Sequence, residues 1–202
     1  MEVTINDRIS YLPGREEPLS SEVVIIKGEK YIWIYDVGAG EEALSYINER
    51  YGEKCVVLSH FHNDHTENLG GITYHKLYQG AYTKKHTGEG NVVEEEITIT
   101  DGVKITLFPI PCSHAKGCIG LIVDDTYAFV GDAIYPAKKH DELLYNVSLL
   151  AQEITLLKVT KAEYFGVSHK PNFVYKKKAI LAFLESVYRR RKTGEAYIRG
   201  VE

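Results

Sequence analysis

The most informative part of the sequence is a short histidine-rich segment, Ser59-His60-Phe61-His62-Asn63-Asp64-His65. It directly follows the apolar run Cys55-Val56-Val57-Leu58, which is short enough to form a buried strand. Two imidazoles separated by one residue at a strand end point out of a tight turn towards one place, a geometry that suits a borderline metal such as zinc. The Asp-His pair at 64–65 offers ligands for a second ion. We therefore predict a metal site at the end of this strand.

Three further candidate ligands occur downstream, each after a predicted strand or a short extension of one. They are His114, Asp132 and His169, and the steps from His65 onwards are 49, 18 and 37 residues. Taken singly, each of these side chains would more often be structural than a ligand. Together with the first segment they predict one shared site.

The chain around these residues alternates between strand-like and helix-like patterns. Short β-branched and aromatic runs predict hairpins at 23–36, at 96–109 and at 119–131. Apolar residues at helical spacing predict helices at 41–51, 146–162 and 176–191. Strands interrupted by helices favour a layered α/β architecture in which two sheets pack on each other.

The ligand candidates, in this order, resemble those of the metallo-β-lactamase-fold hydrolase superfamily, and the resemblance covers nearly the whole chain. It implies a four-layer αββα sandwich formed by one domain, 1–202, with the ligands on loops along one edge of the sheets. One metal would be held by His60, His62 and His114, and the other by Asp64, His65 and His169, with Asp132 bridging both. Asp36, after an earlier strand, would accept a hydrogen bond from a ligand histidine and set its tautomer.

The resemblance also implies an activity, hydrolysis of a small ester, thioester or lactone. Two divalent cations would share a hydroxide, and Asp64 and Asp132 would take part in catalysis through the ions. Zinc is the first expectation, while iron and manganese also accept histidine and carboxylate ligands. Two alternatives remain open, an oxidoreductase similar to the mononuclear-iron persulfide dioxygenases and a phosphodiester hydrolase. A binding protein without catalysis is disfavoured by the complete ligand set.

Differences between this sequence and other proteins of this fold narrow the choice of activity. His62 stands where flavodiiron proteins have glutamate, and Asp132 stands where the first class of zinc β-lactamases has a cysteine ligand, which argues against antibiotic hydrolysis. Only 33 residues follow His169, too few for the helical glutathione-binding domain of type II glyoxalases. The chain is also too compact for the inserted domains of RNA-processing nucleases with this fold.

Tyr135 lies three residues after Asp132, as does the substrate-polarising tyrosine of the acyl-homoserine lactonases, which this region resembles. A phenol at this place would donate to the substrate carbonyl oxygen. The alternative is an ordinary packing role, since tyrosine is common in this chain, with 15 in 202 residues.

The remaining cysteines and histidines have simpler interpretations. Three cysteines, Cys55, Cys112 and Cys118, are too few for a disulfide framework and are expected to be reduced. Cys112 and Cys118 are interpreted as small side chains that fill tight space, the alternative being redox-sensitive thiols or an extra metal ligand. The histidines without a matching role are expected at the surface: His75, His86 and His140.

The composition points to one folded domain with a small-molecule partner. The chain has 202 residues, of which 44% are hydrophobic. Its net charge of −4 argues against a general polyanion binder such as a nucleic-acid-binding protein. Apolar runs fall short of the roughly 18 residues that a membrane span needs, and the N-terminus has no basic-then-apolar pattern of a signal peptide. We therefore expect a cytoplasmic protein; the oligomeric state stays open.

Overall fold

Two β-sheets face each other at the centre of the molecule, and helices cover their outer surfaces. The computed structural model describes residues 1–200, so the last two residues of the predicted 1–202 domain lie outside the described part. The layers run helix, sheet, sheet, helix, which confirms the predicted αββα sandwich.

The first sheet contains the early predicted hairpin and the strand that leads into the histidine-rich segment. Its spatial order is β1 (Val3–Thr4), β2 (Ile9–Leu12), β5 (Val23–Lys27), β6 (Tyr31–Tyr35), β7 (Glu53–Val57), β8 (Lys76–Gln79) and β9 (Asn91–Val92). The pairs from β6 to β9 are parallel, while β5 and β6 form the predicted antiparallel hairpin. A separate two-stranded ribbon consists of β3 (Arg15–Glu16) and β4 (Leu19–Ser20).

The second sheet contains both later predicted hairpins. Its order is β10 (Ile97–Thr100), β11 (Lys104–Ile110), β12 (Cys118–Val123), β13 (Tyr127–Phe129), β16 (Tyr164–Gly166) and β17 (Val174–Lys176). A small third sheet, which the sequence did not predict, joins β14 (Ala137–Lys139), β15 (Glu142–Asn146) and β18 (Tyr197–Arg199).

All three predicted helices are present with shorter bounds. They are α1 (Gly40–Asn48), α4 (Val147–Val159) and α5 (Lys177–Arg189). The side chain of Asn146 caps α4 by accepting from the Leu149 N–H at 3.0 Å. Shorter helical segments that were not predicted are α2 (Asn63–Thr66), a 3₁₀ helix (Glu67–Gly71) and α3 (Ala81–Thr87). Among the helices described, none combines the length and apolar character that crossing a bilayer requires.

Strand alternation sorts the apolar side chains into three cores. In β5, Val24 and Ile26 face the opposite sheet, whereas Val23 and Ile25 lie in the core beneath α1. The third core lies beneath α4 and α5 and takes side chains from the outer surface of the second sheet. Burial on both surfaces explains why β12 is apolar throughout and fully buried.

The strand directions place the predicted ligands at one edge of the sandwich. β6 and β7 are parallel, and so are β13 and β16. β11 is antiparallel to β12, which is antiparallel to β13, so β11 and β13 run the same way. The predicted site residues follow the carboxyl ends of five strands, namely β6, β7, β11, β13 and β16.

Candidate metal centre

Three imidazoles and one carboxylate converge in a first group. His62 Nδ1 lies 2.9 Å from His60 Nε2 and 3.1 Å from His114 Nε2. His114 Nε2 lies 3.2 Å from Asp132 Oδ2. One atom from each of the four side chains lies within 4.8 Å of the others, so this group could hold a metal ion.

A second group forms beside the first. Asp64 Oδ2 lies 2.9 Å from His169 Nε2 and 3.2 Å from His65 Nε2. His65 Nε2 in turn lies 3.4 Å from Asp132 Oδ1. These four side chains also meet within 4.8 Å and could hold a second ion.

Asp132 belongs to both groups because its two carboxylate oxygens face different ways. Oδ2 faces the first group and Oδ1 faces the second. Burial alone would raise the pKa of Asp132, but the nearby His65 and His114 hold that pKa well below its ordinary value. The side chain is therefore an ionised carboxylate placed between two sets of nitrogen and oxygen donors.

Two buried atoms at this junction fit a metal ion. Within residues 1–200, His65 Nε2 and Asp132 Oδ1 are buried and have no hydrogen-bond partner, because the close contacts between His65 Nε2 and the two carboxylates do not have hydrogen-bond geometry. A buried polar atom left in this state costs about 1–3 kcal/mol. A cation in the second group would contact both atoms. The donor set of imidazole and carboxylate, without thiolate, accepts zinc, iron or manganese.

The hydrogen bond predicted between Asp36 and a ligand-candidate histidine is present. Asp36 Oδ2 lies 2.8 Å from His65 Nδ1, and its Oδ1 accepts from the Ser59 backbone N–H at 2.7 Å. The carboxylate therefore favours the His65 tautomer that carries its proton on Nδ1 and leaves Nε2 free for a cation.

Ser59 has a positioning role that the sequence did not indicate. Its hydroxyl lies 2.9 Å from His60 Nδ1 and 3.2 Å from His65 Nδ1, so one side chain contacts an imidazole of each group. Gly131 makes room for it, because a Cβ there would lie 2.6 Å from the Ser59 Cβ. Gly131 also has a φ of +55°, which glycine adopts without strain.

Two further contacts support the ligand candidates of the downstream loops. His114 Nδ1 lies 3.3 Å from the Pro136 carbonyl oxygen. The His169 backbone N–H donates to Glu22 Oε2 at 3.1 Å. Burial raises the pKa of Glu22, although the His169 N–H partly offsets that effect. Glu22 and His169 are 147 residues apart, and no sequence pattern joins them.

The site opens into a cavity of about 430 Å³. Tyr135 lies in its wall, with its hydroxyl donating to the Ser168 carbonyl oxygen at 2.8 Å. Burial and the neighbouring Asp132 carboxylate raise the pKa of Tyr135, so its hydroxyl keeps its proton at neutral pH. The other lining residues are His62, His114, Asp132, Pro136, Lys138, Leu143 and His169.

The remaining sequence expectations concern residues outside the two groups. Cys112 and Cys118 are buried in the core beneath α4 and α5, as the space-filling interpretation predicts. Neither thiol belongs to the metal-binding groups found among the described residues. The three histidines expected at the surface, His75, His86 and His140, are exposed.

Comparisons with known proteins rest on structure. No protein-family model matches the chain, and no curated protein matches it. A stereoselective inverting sec-alkylsulfatase from a Pseudomonas species aligns with a TM-score of 0.72 and 15% identity. The alignment covers 93% of this chain but only 41% of that enzyme, so this chain spans less than half of its length. A metallo-β-lactamase from Pontibacter korlensis aligns with a TM-score of 0.67 and 15% identity, covering 95% of this chain and 99% of that one. The chemotaxis sensor ODP, described with a peroxy diiron species, aligns with a TM-score of 0.68 and 13% identity. That alignment covers 93% of this chain and 94% of the sensor. These likenesses show that the chain has the metallo-β-lactamase fold.

Proposed function

We propose that this chain of metallo-β-lactamase fold is a dinuclear metal-dependent hydrolase that acts on a small ester, thioester or lactone. The observation that carries the proposal is the divided carboxylate of Asp132, whose two oxygens face two separate groups of donors. In the proposed enzyme His60, His62 and His114 would hold one ion, Asp64, His65 and His169 would hold the other, and Asp132 would be shared by the two groups.

The bound cations supply the reactive chemistry. When bound, two divalent cations would lower the pKa of a water to near neutrality and polarise a carbonyl oxygen, so a serine or cysteine nucleophile would be unnecessary. The residues of the chain position this chemistry. Asp132 fixes the separation of the two groups, while Asp36 and Ser59 orient the imidazoles that face them.

The cavity over the two groups favours a small substrate. Its volume of about 430 Å³ lies in the lower part of the usual range for small-molecule sites, which is about 300–1,000 Å³. Pro136 and Leu143 offer apolar surface to a substrate, and the Tyr135 hydroxyl is a hydrogen-bond donor in the cavity wall. To donate to a substrate, that hydroxyl must turn away from the Ser168 carbonyl oxygen.

The net charge of the chain and the chemistry of the donor groups indicate the class of substrate and the metal. A net charge of −4 disfavours a nucleic-acid substrate, so we propose a small molecule met in the cytoplasm. Zinc is the proposed metal, because both groups consist of imidazole and carboxylate donors, which a borderline ion such as zinc accepts.

The proposal is tested by metal stoichiometry together with a substrate panel. The full chain is loaded with Zn²⁺, freed of excess metal and assayed by elemental analysis, and hydrolysis is measured on ester, thioester, lactone and phosphodiester substrates. We expect about two ions per chain and turnover of a carboxylic ester, thioester or lactone. His114→Ala and His169→Ala should each lower the content towards one ion, and His140→Ala, at an exposed position, is the matched control. Binding of one ion under metal excess, with His169→Ala unchanged, contradicts the dinuclear site.

One alternative has a specific observation in its favour. The sensor ODP, whose structure is described with a peroxy diiron species, shares the fold over 94% of its own length. A diiron or mononuclear-iron oxidoreductase would bind iron in preference to zinc and consume dioxygen after reduction. Oxygen uptake by the iron-loaded chain, with no hydrolysis across the panel, would favour this alternative.

A further inference from the structure

Two thiols that the proposed hydrolase does not use lie in direct contact. Cys112 Sγ and Cys118 Sγ are 3.0 Å apart, and each lies 3.4 Å from the carbonyl oxygen of Ala115. Both side chains are buried, with relative exposures of 5% and 2%. A disulfide bond is about 2.05 Å long, so a movement of about 1 Å would bring the two sulfurs to bonding distance.

The two thiols stand at the ends of the loop that carries His114. β11 ends at Ile110 and β12 begins at Cys118, and these two residues are paired across the strand ladder. The backbone on either side of the loop is therefore held together before any covalent bond forms. This arrangement keeps the two sulfurs close, because neither strand end can move away without breaking the ladder.

Cys112 also has a route to solvent. It lies in the wall of a cavity of about 270 Å³ that is shared with Ser113, His114 and Lys116. The β14–β15 hairpin lies between this cavity and the cavity over the two donor groups. Ala137 and Leu144 line the Cys112 cavity, whereas Lys138 and Leu143 line the cavity over the donor groups, and His114 lines both. A small oxidant can therefore reach Cys112 from the Cys112 cavity, on the opposite side of the hairpin from the substrate cavity.

Cys55 provides an internal comparison. It lies on β7 in the core between the sheets, and burial raises the pKa of its thiol to about 11. No second thiol among the described residues lies within bonding contact of it. Without a partner thiol Cys55 cannot form the same intramolecular bond, so it should react far more slowly than the pair.

We propose that Cys112 and Cys118 are a redox-active pair that a peroxide converts into a disulfide across the base of the His114 loop. The Cys112 sulfur attacks hydrogen peroxide, the O–O bond breaks, and a sulfenic acid and one water form. The Cys118 sulfur then attacks the sulfenic sulfur, forming the S–S bond and releasing a second water. In total two thiols lose two electrons and two protons, and one peroxide is reduced to two waters.

The disulfide would restrict the segment that holds His114. It closes residues 112–118 into a covalent ring that contains one member of the first metal group. The inference does not depend on the hydrolase proposal, because the sulfur chemistry needs neither the substrate nor the metals.

The experiment uses the full chain loaded with zinc, which has no redox chemistry of its own. The protein is treated with hydrogen peroxide, unfolded, and alkylated with N-ethylmaleimide before mass spectrometry. We expect a mass loss of about two units, the two hydrogens removed, and alkylation of Cys55 alone. Trypsin cleaves after Lys116, so the bond should join peptides 105–116 and 117–138, each of which holds one cysteine. Dithiothreitol added before alkylation should return Cys112 and Cys118 to thiols, so that all three cysteines are then alkylated.

Matched variants separate the pair from general oxidation. Cys55→Ser should keep the linked peptides, whereas Cys118→Ser should lose the link and accumulate oxygen on Cys112. Hydrogen peroxide should oxidise Cys112 and Cys118 at least about tenfold faster than it oxidises Cys55. Alkylation of all three cysteines after peroxide treatment, or a link that includes Cys55 or joins two chains, overturns the proposal. If Cys118→Ser does not fold, the peptide map of the unchanged chain still decides the question.

Discussion

The hydroxyl of Tyr135 donates a hydrogen bond to the backbone carbonyl oxygen of Ser168, 2.8 Å away and one residue before His169. Tyr135 follows β13, and Ser168 follows β16, so this bond joins the two loops that carry Asp132 and His169. The same tyrosine lies in the wall of the cavity above the two groups of candidate metal ligands. It can therefore act on a substrate directly, or it can hold the His169 loop in place.

Replacing Tyr135 with phenylalanine should lower kcat more than it raises KM. The phenol would stabilise charge that develops on the carbonyl oxygen in the transition state, and removal of such a donor costs up to about 10² to 10³ in rate. The loss is smaller where a metal carries most of that charge. The measurement is steady-state kinetics on the best ester or lactone of the panel.

Metal content of the Tyr135→Phe variant separates the two roles. If the hydroxyl acts only by holding the Ser168 carbonyl, the variant should bind metal more weakly in the group that contains His169. If it acts on the substrate, metal content should stay at the parent value while kcat falls. An unchanged kcat with unchanged metal content would remove Tyr135 from both roles.

Asp132→Ala should abolish most hydrolysis and leave the fold largely intact. The side chain lies among ligand candidates rather than in an apolar core, so its removal should affect the two ions more than the packing of the sheets. Circular dichroism checks the fold, and kcat/KM checks the function. Turnover within about tenfold of the parent, a barrier difference of only about 1.4 kcal/mol, would show that the two groups do not depend on a bridging carboxylate.

Asp36→Asn should weaken metal binding in one group and spare the other. Asp36 is fully buried and contacts His65 Nδ1, and loss of a carboxylate behind a ligand histidine typically costs about 10-fold to 100-fold in metal affinity. Competition with a chelator should therefore reveal one weakened site and one site near the parent affinity. Asp141→Asn, at an exposed loop position, is the control. Equal weakening of both sites would mean that Asp36 acts on the whole loop through Ser59 and not on His65 alone.

The members of the candidate metal site were largely predictable from the sequence because they share a local signal. Each ligand candidate follows a strand, and the first four lie within six residues, so strand patterns and spacing singled them out. Their division between two ions came from the resemblance to the metallo-β-lactamase fold. Ser59 is adjacent to that segment, but its contacts with two imidazoles depend on how the chain folds back over Gly131. Glu22 has no such signal, since its contact with His169 exists only once distant strands assemble.

The missed elements have physical explanations as well. In α3 only Thr83 is buried, so this short helix has no apolar stripe that a periodicity search could find. The third sheet depends on β18, near the end of the described chain, pairing with β15. The contact between Cys112 and Cys118 depends on the register of β11 and β12. Register and long-range pairing are set by tertiary packing, which local patterns do not encode.

Gly131→Ala should destabilise the fold and weaken metal binding together. The added Cβ would lie 2.6 Å from the Cβ of Ser59, and Ser59 contacts an imidazole of each group. Overpacking of this kind costs about 1–3 kcal/mol, and a left-handed backbone adds about 1–2 kcal/mol for a residue with a side chain. Thermal unfolding and chelator competition give the two readouts. Gly88→Ala is the matched control, because Gly88 also has a positive φ but nothing within 4 Å of its Cβ position. It should show the backbone cost without the loss of metal affinity.

The last prediction concerns a buried carboxyl that has no hydrogen-bond partner among the described residues. Glu153 lies on α4 in the core beneath the helices, it is fully buried, and neither of its oxygens has a hydrogen-bond partner among the described residues. Burial raises the pKa of Glu153 well above its ordinary value, and the nearby Cys112 thiol adds to the effect. The folded protein therefore holds this proton at pH values where the unfolded chain has released it.

The free energy of unfolding should consequently fall as pH rises from the unfolded pKa of Glu153, near 4.5, towards its raised folded value. The folded state binds one more proton than the unfolded state in this window, so this group contributes a slope of about −1.4 kcal/mol per pH unit. Glu153→Met removes the carboxyl and keeps a side chain of similar length. It should unfold at higher denaturant concentration than the parent near pH 8, with the difference shrinking as pH approaches about 5.

Glu95→Gln, at an exposed position, is the control and should change the free energy of unfolding by less than about 0.5 kcal/mol at either pH. Denaturant titrations of the three proteins across this range provide the measurement. A difference between parent and Glu153→Met that stays constant with pH would mean that Glu153 does not hold its proton in the folded protein.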